Sequence, residues 1–185
     1  MHTQVCSTDT TTAMNRIDNS IFTLNAPELA PLLLGKLLCV HSEDGNIKKA
    51  RITETEAYFG EEDTACHAHR GRTKRTEILY SSGGKVYVYL CYGIHSLMNV
   101  ISGPANHPQG VLIRGIEGYN GPGKLTKHLG ITTAHNGLDI TTSDVIWIEE
   151  DDFIPNAILT SPRIGIDYAT QEYRDIPWRF YYKTK

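Results

Sequence analysis

The run Val86-Tyr87-Val88-Tyr89-Leu90-Cys91 alternates aliphatic and aromatic side chains. Alternation with a period of two marks a strand whose successive side chains leave opposite faces of a sheet. Tyr87 and Tyr89 therefore share one face, and Val86, Val88 and Leu90 share the other. A sheet holding this strand must bury the aliphatic face in a core and put the tyrosine face to a different use.

Other segments extend the pattern. Residues 97–101, 111–116, 145–149 and 179–183 have strand character. Residues 37–42 and 47–55 flank an Asp44-Gly45 turn signal and read as a hairpin whose second strand leads directly into Glu56. Asn25, Pro27, leucines at 29, 32 and 33 and then Gly35 predict a short helix packed by its leucines. Gly121-Pro122-Gly123 ahead of residues 124–129 predicts a second helix. Many strands with occasional helices make an α+β domain.

A chain of 185 residues suits one domain with a real core. The first twenty residues are polar and rich in threonine, so 1–20 reads as a flexible tail and 21–185 as the domain. The tail lacks the apolar core of a secretory signal. The densest apolar stretch, 29–40, is interrupted by Pro31, Gly35 and Lys36 and is too short for a hydrocarbon core of about 30 Å, so no membrane partner is expected. Cys6, Cys39, Cys66 and Cys91 form no C-x-x-C pair, which fits reduced thiols in a cytoplasm.

The formal charge of −3 argues against nucleic acid unless cations gather locally. They do so at Arg70, Arg72, Lys74 and Arg75, where no acid intervenes. On charge alone, this patch is either a phosphate contact or a solvated basic loop. The acidic residues 149–152 read as solvated surface. Cys66, His67 and His69 supply no separated second pair of ligands, so a metal site is not expected.

The chain resembles the alkyladenine, or 3-methyladenine, DNA glycosylase family in five ordered blocks. Thr55-Glu56-Ala57-Tyr58 with Asp63 and His67 forms the first, and Val86 to Tyr89, Tyr92-Gly93 and Met98-Asn99 the second. Val111-Leu112-Ile113-Arg114, Gly121-Pro122-Gly123-Lys124-Leu125 and Pro162-Arg163-Ile164-Gly165 through Pro177-Trp178-Arg179-Phe180-Tyr181 complete the set. The resemblance spans nearly everything after the tail.

The resemblance implies an antiparallel, partly open barrel-like sheet with flanking short helices and a protruding tyrosine-bearing hairpin. It implies a monofunctional glycosylase without cofactor or metal, a monomer acting on damaged double-stranded DNA. Such an enzyme hydrolyses the N-glycosidic bond of a flipped alkylated or deaminated purine and leaves an abasic site without lyase cleavage. Glu56 is then the general base for water, and Arg114 positions that water and the charged site. Tyr58, His67 and Tyr89 enclose the extruded base, Asn99 screens it at the pocket wall, and Tyr92 fills the gap left in the duplex. Arg70, Arg72, Lys74, Arg75 and Lys124 contact the backbone.

Each residue also has a plainer reading. Glu56 alone is a surface carboxylate, Arg114 an ion-pair partner, Tyr58 and Tyr89 packing aromatics, Tyr92 an exposed hairpin aromatic and Lys124 a helix-end charge. A catalytically silent damage binder and a small-molecule or RNA-binding β domain are the rival functions. The chain departs from the family pattern at Ser81-Ser82-Gly83-Gly84, where Pro-Gly is common, and at Cys66 and Cys91. A Gly-Gly turn lacks proline's fixed φ and is expected to be looser.

Overall fold

The computed structural model describes residues 15–42 and 44–184. In chain order it contains α1 (Ala26–Leu32), β1 (Leu37–His41), β2 (Ile47–Phe59), β3 (Val86–Cys91), β4 (His95–Ile101), β5 (Gln109–Ile116) and β6 (Tyr119–Asn120). These are followed by α2 (Pro122–Leu129), β7 (Ile146–Glu149), β8 (Leu159–Ser161), α3 (Gln171–Asp175) and β9 (Arg179–Tyr181). Short 3-10 turns join several of them.

The strands form one sheet in the order β3-β4-β5-β2-β1-β7, with β6 beside β5, β9 beside β2 and β8 beside β9. All named pairs are antiparallel. β3 and β7 do not pair with each other, so the barrel-like sheet stays open and the α+β expectation holds. β2 is its spine, taking β1 along 47–51, β5 along 52–59 and β9 along 54–56. It runs past Thr55, so Glu56 lies inside a strand with neighbours on both sides rather than at a strand end.

The two faces have different fillings. Val86, Val88, Met98, Val111 and Ile113 join Leu29, Leu33 and Leu125 in the main core beneath α1 and α2. Tyr87 packs on the opposite face with Cys66, Ala68, Leu79, Tyr80 and Ile101, with Tyr58 and Tyr89 against them. Leu90 breaks the pattern and is exposed, because it lies near the hairpin tip beyond the cover of the helices. α1 starts where Glu28 reaches back to the Asn25 N–H at 3.0 Å. Leu29 and Leu33 are buried, while Leu32 points outward, as a helical turn requires.

Three expectations need correction or adjustment. Residues 1–14 of the expected tail lie outside the described residues, but the folded part begins ahead of Ile21. Ile17 is buried and donates to the Ile148 carbonyl at 3.1 Å, and Arg16 bridges to Glu149 at the outer edge of β7. The acidic run is not simply solvated. Glu149 is buried and accepts from Lys49 and Trp147, Glu150 pairs with Lys36, and Asp151 pairs with Arg51, because cations of β2 and the lysine just before β1 lie alongside.

The Gly83-Gly84 turn is pinned rather than loose. Gly83 and Gly84 donate to the carbonyls of Gly103 and Ile101, each at 2.9 Å, and a Cβ on Gly83 would lie 1.9 Å from the Phe22 carbonyl oxygen. Close approach of two backbones fixes this turn, in place of proline's ring.

Candidate active site

Two bulges set the direction of the site residues. On β2 and β5, Ile52 opposes Ile116, Glu54 opposes Gly115, and Thr55 opposes Ile113. Thr53 is therefore the extra residue on β2 and Arg114 the extra residue on β5. A one-residue slip turns every later side chain to the other face. Ile52 accordingly faces the core, as do Thr55 and Ala57, while Glu54, Glu56 and Tyr58 leave by the opposite face. Gly115 leaves room for the slip, since a Cβ there would stand 3.0 Å from Thr53 Oγ1 and 3.1 Å from Glu54 Cβ. The bulge at Arg114 brings its guanidinium to both carboxylates, with Nε 2.9 Å from Glu54 and 3.5 Å from Glu56.

Glu56 is wholly buried. Its Oε1 accepts from the Ile164 N–H at 2.8 Å, and its Oε2 accepts from the Tyr58 hydroxyl at 3.0 Å. Burial raises its pKa above the ordinary glutamate value, while Arg114, the Ile164 N–H and the Tyr58 hydroxyl pull it back. Glu54 completes the charge cluster by accepting from Arg179 at 2.5 Å. Arg114 thus pairs with a residue of the neighbouring strand, Glu54, as its plainer reading expects, and it also reaches Glu56.

Tyr58 links this carboxylate to a pocket lined by Tyr58, Cys66, His67, Tyr87, Tyr89, Asn99 and Tyr168, among others. His67 and Tyr89 meet edge to face at 4.5 Å between centroids, and Tyr87 and Tyr89 lie 5.4 Å apart. His67 Nδ1 is 3.0 Å from the Tyr87 hydroxyl. Asn99 sits opposite Tyr87 in the hairpin and donates to its carbonyl at 3.2 Å, which fixes the amide at the wall. The Cys66 thiol, pushed up to about 12 by burial, is unreactive packing.

Burial, aided by Arg75, holds His67 down at about 4 from an ordinary 6.5. The ring is therefore neutral at physiological pH and does not repel a cation in the pocket. The unfolded chain takes up this proton near pH 6.5, the folded chain only near 4. Stability from His67 is thus present above 6.5 and is lost as pH falls toward 4. A His67→Gln variant is expected to show a flatter dependence of the urea midpoint on pH across that window; an unchanged slope would contradict the buried neutral ring.

The hairpin tip carries Tyr92, which is 91% exposed and has φ 52°, followed by Gly93 at φ 74°. A left-handed aromatic residue is a strained choice in a turn, and such strain collects at functional positions. Ile94 is also exposed beside it. The basic residues separate into two groups. Arg70 and Arg75 line a groove that shares Cys66, His67 and Tyr168 with the pocket mouth. Arg72 instead grips Glu77 through two hydrogen bonds, and Lys74 is exposed outside the groove lining. Lys124 is exposed in the first turn of α2, whose Gly123 packs on His95 at the hairpin.

Several participants escaped the sequence reading. Glu54 had a visible signal, because Thr53-Glu54-Thr55-Glu56 alternates and puts both carboxylates on one face. Tyr168, at the pocket mouth with its hydroxyl on the Ala65 carbonyl at 2.9 Å, had none. Neither did the Ile164 N–H nor the pairing of Asp63 with Arg163, whose partners are about a hundred residues away in sequence.

The sequence also matches known proteins over most of its length. The profile of the family described as Methylpurine-DNA glycosylase (MPG) matches residues 20–120 and 117–185. A protein of Chlorobium phaeobacteroides assigned as a 3-methyladenine DNA glycosylase is 41% identical, with 91% of this chain and 92% of the relative covered. Proteins of Psychrobacter cryohalolentis and Borrelia garinii with the same assignment are 46% and 42% identical, covering 74% and 90% of this chain and 78% and 96% of the relatives. With a pocket, a buried carboxylate and a matching sequence over nearly its whole length, the chain belongs to the methylpurine-DNA glycosylase family.

Proposed function

We propose that this DNA glycosylase hydrolyses the N-glycosidic bond of a damaged purine turned out of duplex DNA, and leaves an abasic site in an unbroken strand. The observation that carries the reading is Glu56, a buried carboxylate held one hydrogen bond behind an aromatic pocket. A flat base stacks against Tyr58, His67 and Tyr89, and a positively charged methylated base gains further from electron-rich rings. Methylation also makes the base a better leaving group, so little acid assistance is needed. Glu56 takes a proton from the attacking water while its negative charge steadies the oxocarbenium-like centre at C1′, and Arg114 beside it holds the carboxylate and the water in place. Among the described residues the pocket lining carries no amine to form a Schiff base, which supports hydrolysis without strand cleavage.

Duplex DNA is expected to lie across the groove lined by Arg70 and Arg75, with Tyr92 filling the space of the extruded nucleotide. A monomer suffices, because a single lesion offers no symmetric half-sites. The test is release of free base from methylated duplex DNA in the presence of a metal chelator, followed by an assay for strand breaks. Chelator-resistant release with intact strands is expected. A folded protein that binds abasic DNA without releasing base would point to the silent damage binder.

Two further outcomes follow from the site. Tyr92→Asn keeps a residue that tolerates a left-handed turn but removes the aromatic ring. It is expected to weaken binding of an abasic-site duplex about 10- to 100-fold, the scale of one stacking contact; unaltered affinity would leave Tyr92 without that role. Asn99→Ser is expected to broaden excision toward guanine lesions, because it shortens a polar side chain of the pocket wall. That expectation rests on the family resemblance and on the position of Asn99 in the pocket lining; an identical lesion profile would remove Asn99 as a filter.

A further inference from the structure

Asp63 and Arg163 form an ion pair that the proposed chemistry does not use. Nη1 and Nη2 of Arg163 donate to Oδ2 and Oδ1 of Asp63 at 2.6 and 2.9 Å, and both side chains are fully buried. Asp63 also accepts from the N–H groups of Phe59 and Ala65, at 3.2 and 3.0 Å. Arg163 donates to the carbonyls of Ala57 and Tyr173, at 3.0 and 3.1 Å. Burying two charges is expensive, and well-packed apolar residues often serve stability as well. The place of the pair gives it a second use.

The guanidinium carbon of Arg163 lies 4.6 Å from the centre of the Tyr58 ring and 5.2 Å from that of Trp178. Tyr58 lines the pocket, whereas Arg163 does not. The cation therefore covers the ring from the protein side, while the pocket side is left for a base. A positively charged base stacked there would lie roughly 8 Å from the guanidinium, with the ring between two cations. At an effective dielectric near 20, an uncompensated charge at that distance weakens binding by about tenfold or more. The same charge has little effect on a neutral base.

We propose that Asp63 determines specificity: by neutralising Arg163 behind Tyr58, it lets the pocket accept a positively charged purine as well as a neutral one. This assignment rests on the proposed function. Asp63 touches no substrate and acts through Arg163 and Tyr58, so it is a positioning residue. Its signature is a change in the preference between charged and neutral bases, which a purely structural role would not produce.

The experiment measures binding in a Glu56→Gln background, so that turnover does not intervene. Two duplexes of the same sequence carry either 7-methylguanine, which is cationic, or hypoxanthine, which is neutral. Adding Asp63→Asn is expected to weaken 7-methylguanine binding relative to hypoxanthine by about tenfold. Adding Arg163→Gln, which removes the cation, is expected to shift the ratio the other way. Both changes break the same buried pair, so general loosening would move both variants alike. Equal losses on the two duplexes, or shifts in the same direction, overturn the proposal. If Asp63→Asn does not fold, Arg163→Gln decides alone: no shift, or a shift toward hypoxanthine, overturns it. A Glu56→Gln parent that prefers neither lesion over undamaged DNA overturns the pocket reading itself, and the role of Asp63 falls with it.

Discussion

Replacing Glu56 with glutamine is expected to slow base release about 10²- to 10⁴-fold in single turnovers, the range lost when a general base is removed. Glutamine has nearly the same shape and retains a carbonyl oxygen that accepts from the Ile164 N–H. It removes the charge facing Arg114 and the capacity to take a proton from water. The stability change should be small, because the amide avoids the desolvation that raises the glutamate pKa. Binding of lesion-containing duplex should survive.

The pH dependence supplies an independent check. Glu56 acts as the base only when ionised, and burial places its pKa above the usual carboxylate value. Wild-type release should therefore fall as pH drops through that raised pKa, and the acid limb should lie higher than for an exposed glutamate. The residual activity of the glutamine variant should lack the limb. Full excision by Glu56→Gln, or an unaltered limb, would remove this carboxylate from the chemistry.

Gly83→Ala is expected to destabilise the fold by about 3 kcal/mol, at the upper end of ordinary overpacking penalties. The added methyl would come within 1.9 Å of the Phe22 carbonyl oxygen and 2.8 Å of its carbon. These are backbone atoms, not the end of a flexible side chain. The same carbonyl accepts from the Gly103 N–H at 2.8 Å, so it cannot withdraw without breaking a second turn. The displacement would start just before β3 and carry to Tyr87, Tyr89 and the tip at Tyr92. A urea or thermal midpoint compared with that of Ser82→Ala, at an exposed neighbour, gives the measurement. A midpoint equal to the control would show that the two backbones are not held together.

Alternation was enough to separate the faces of β3, because a strand leaves no other direction for successive side chains. Turn and cap residues, equally local, predicted the Asp44-Gly45 hairpin and the helix that begins after Asn25. It could not foresee the run from Ile52 to Tyr58. A strict period of two would put Ile52, Glu54, Glu56 and Tyr58 on one face, yet Ile52 is in the core and Glu56 is at the site. The slip arises from pairing with β5, where Gly115 admits the bulge and Arg114 is the extra residue.

The sequence by itself determined the strand-rich α+β fold, the aromatic face of the hairpin and the family to which the chain belongs. Those features depend on local periodicity and on motifs that can be read in a few consecutive residues. Only the tertiary structure decided which carboxylate meets which arginine, that His67 stays neutral, and that Gly83 is locked against Phe22. It also set Arg163 behind Tyr58 and joined it to Asp63, a hundred residues earlier. Burial and charge pairing depend on distances between segments remote in sequence, and local chemistry does not encode those distances until the sheet has formed.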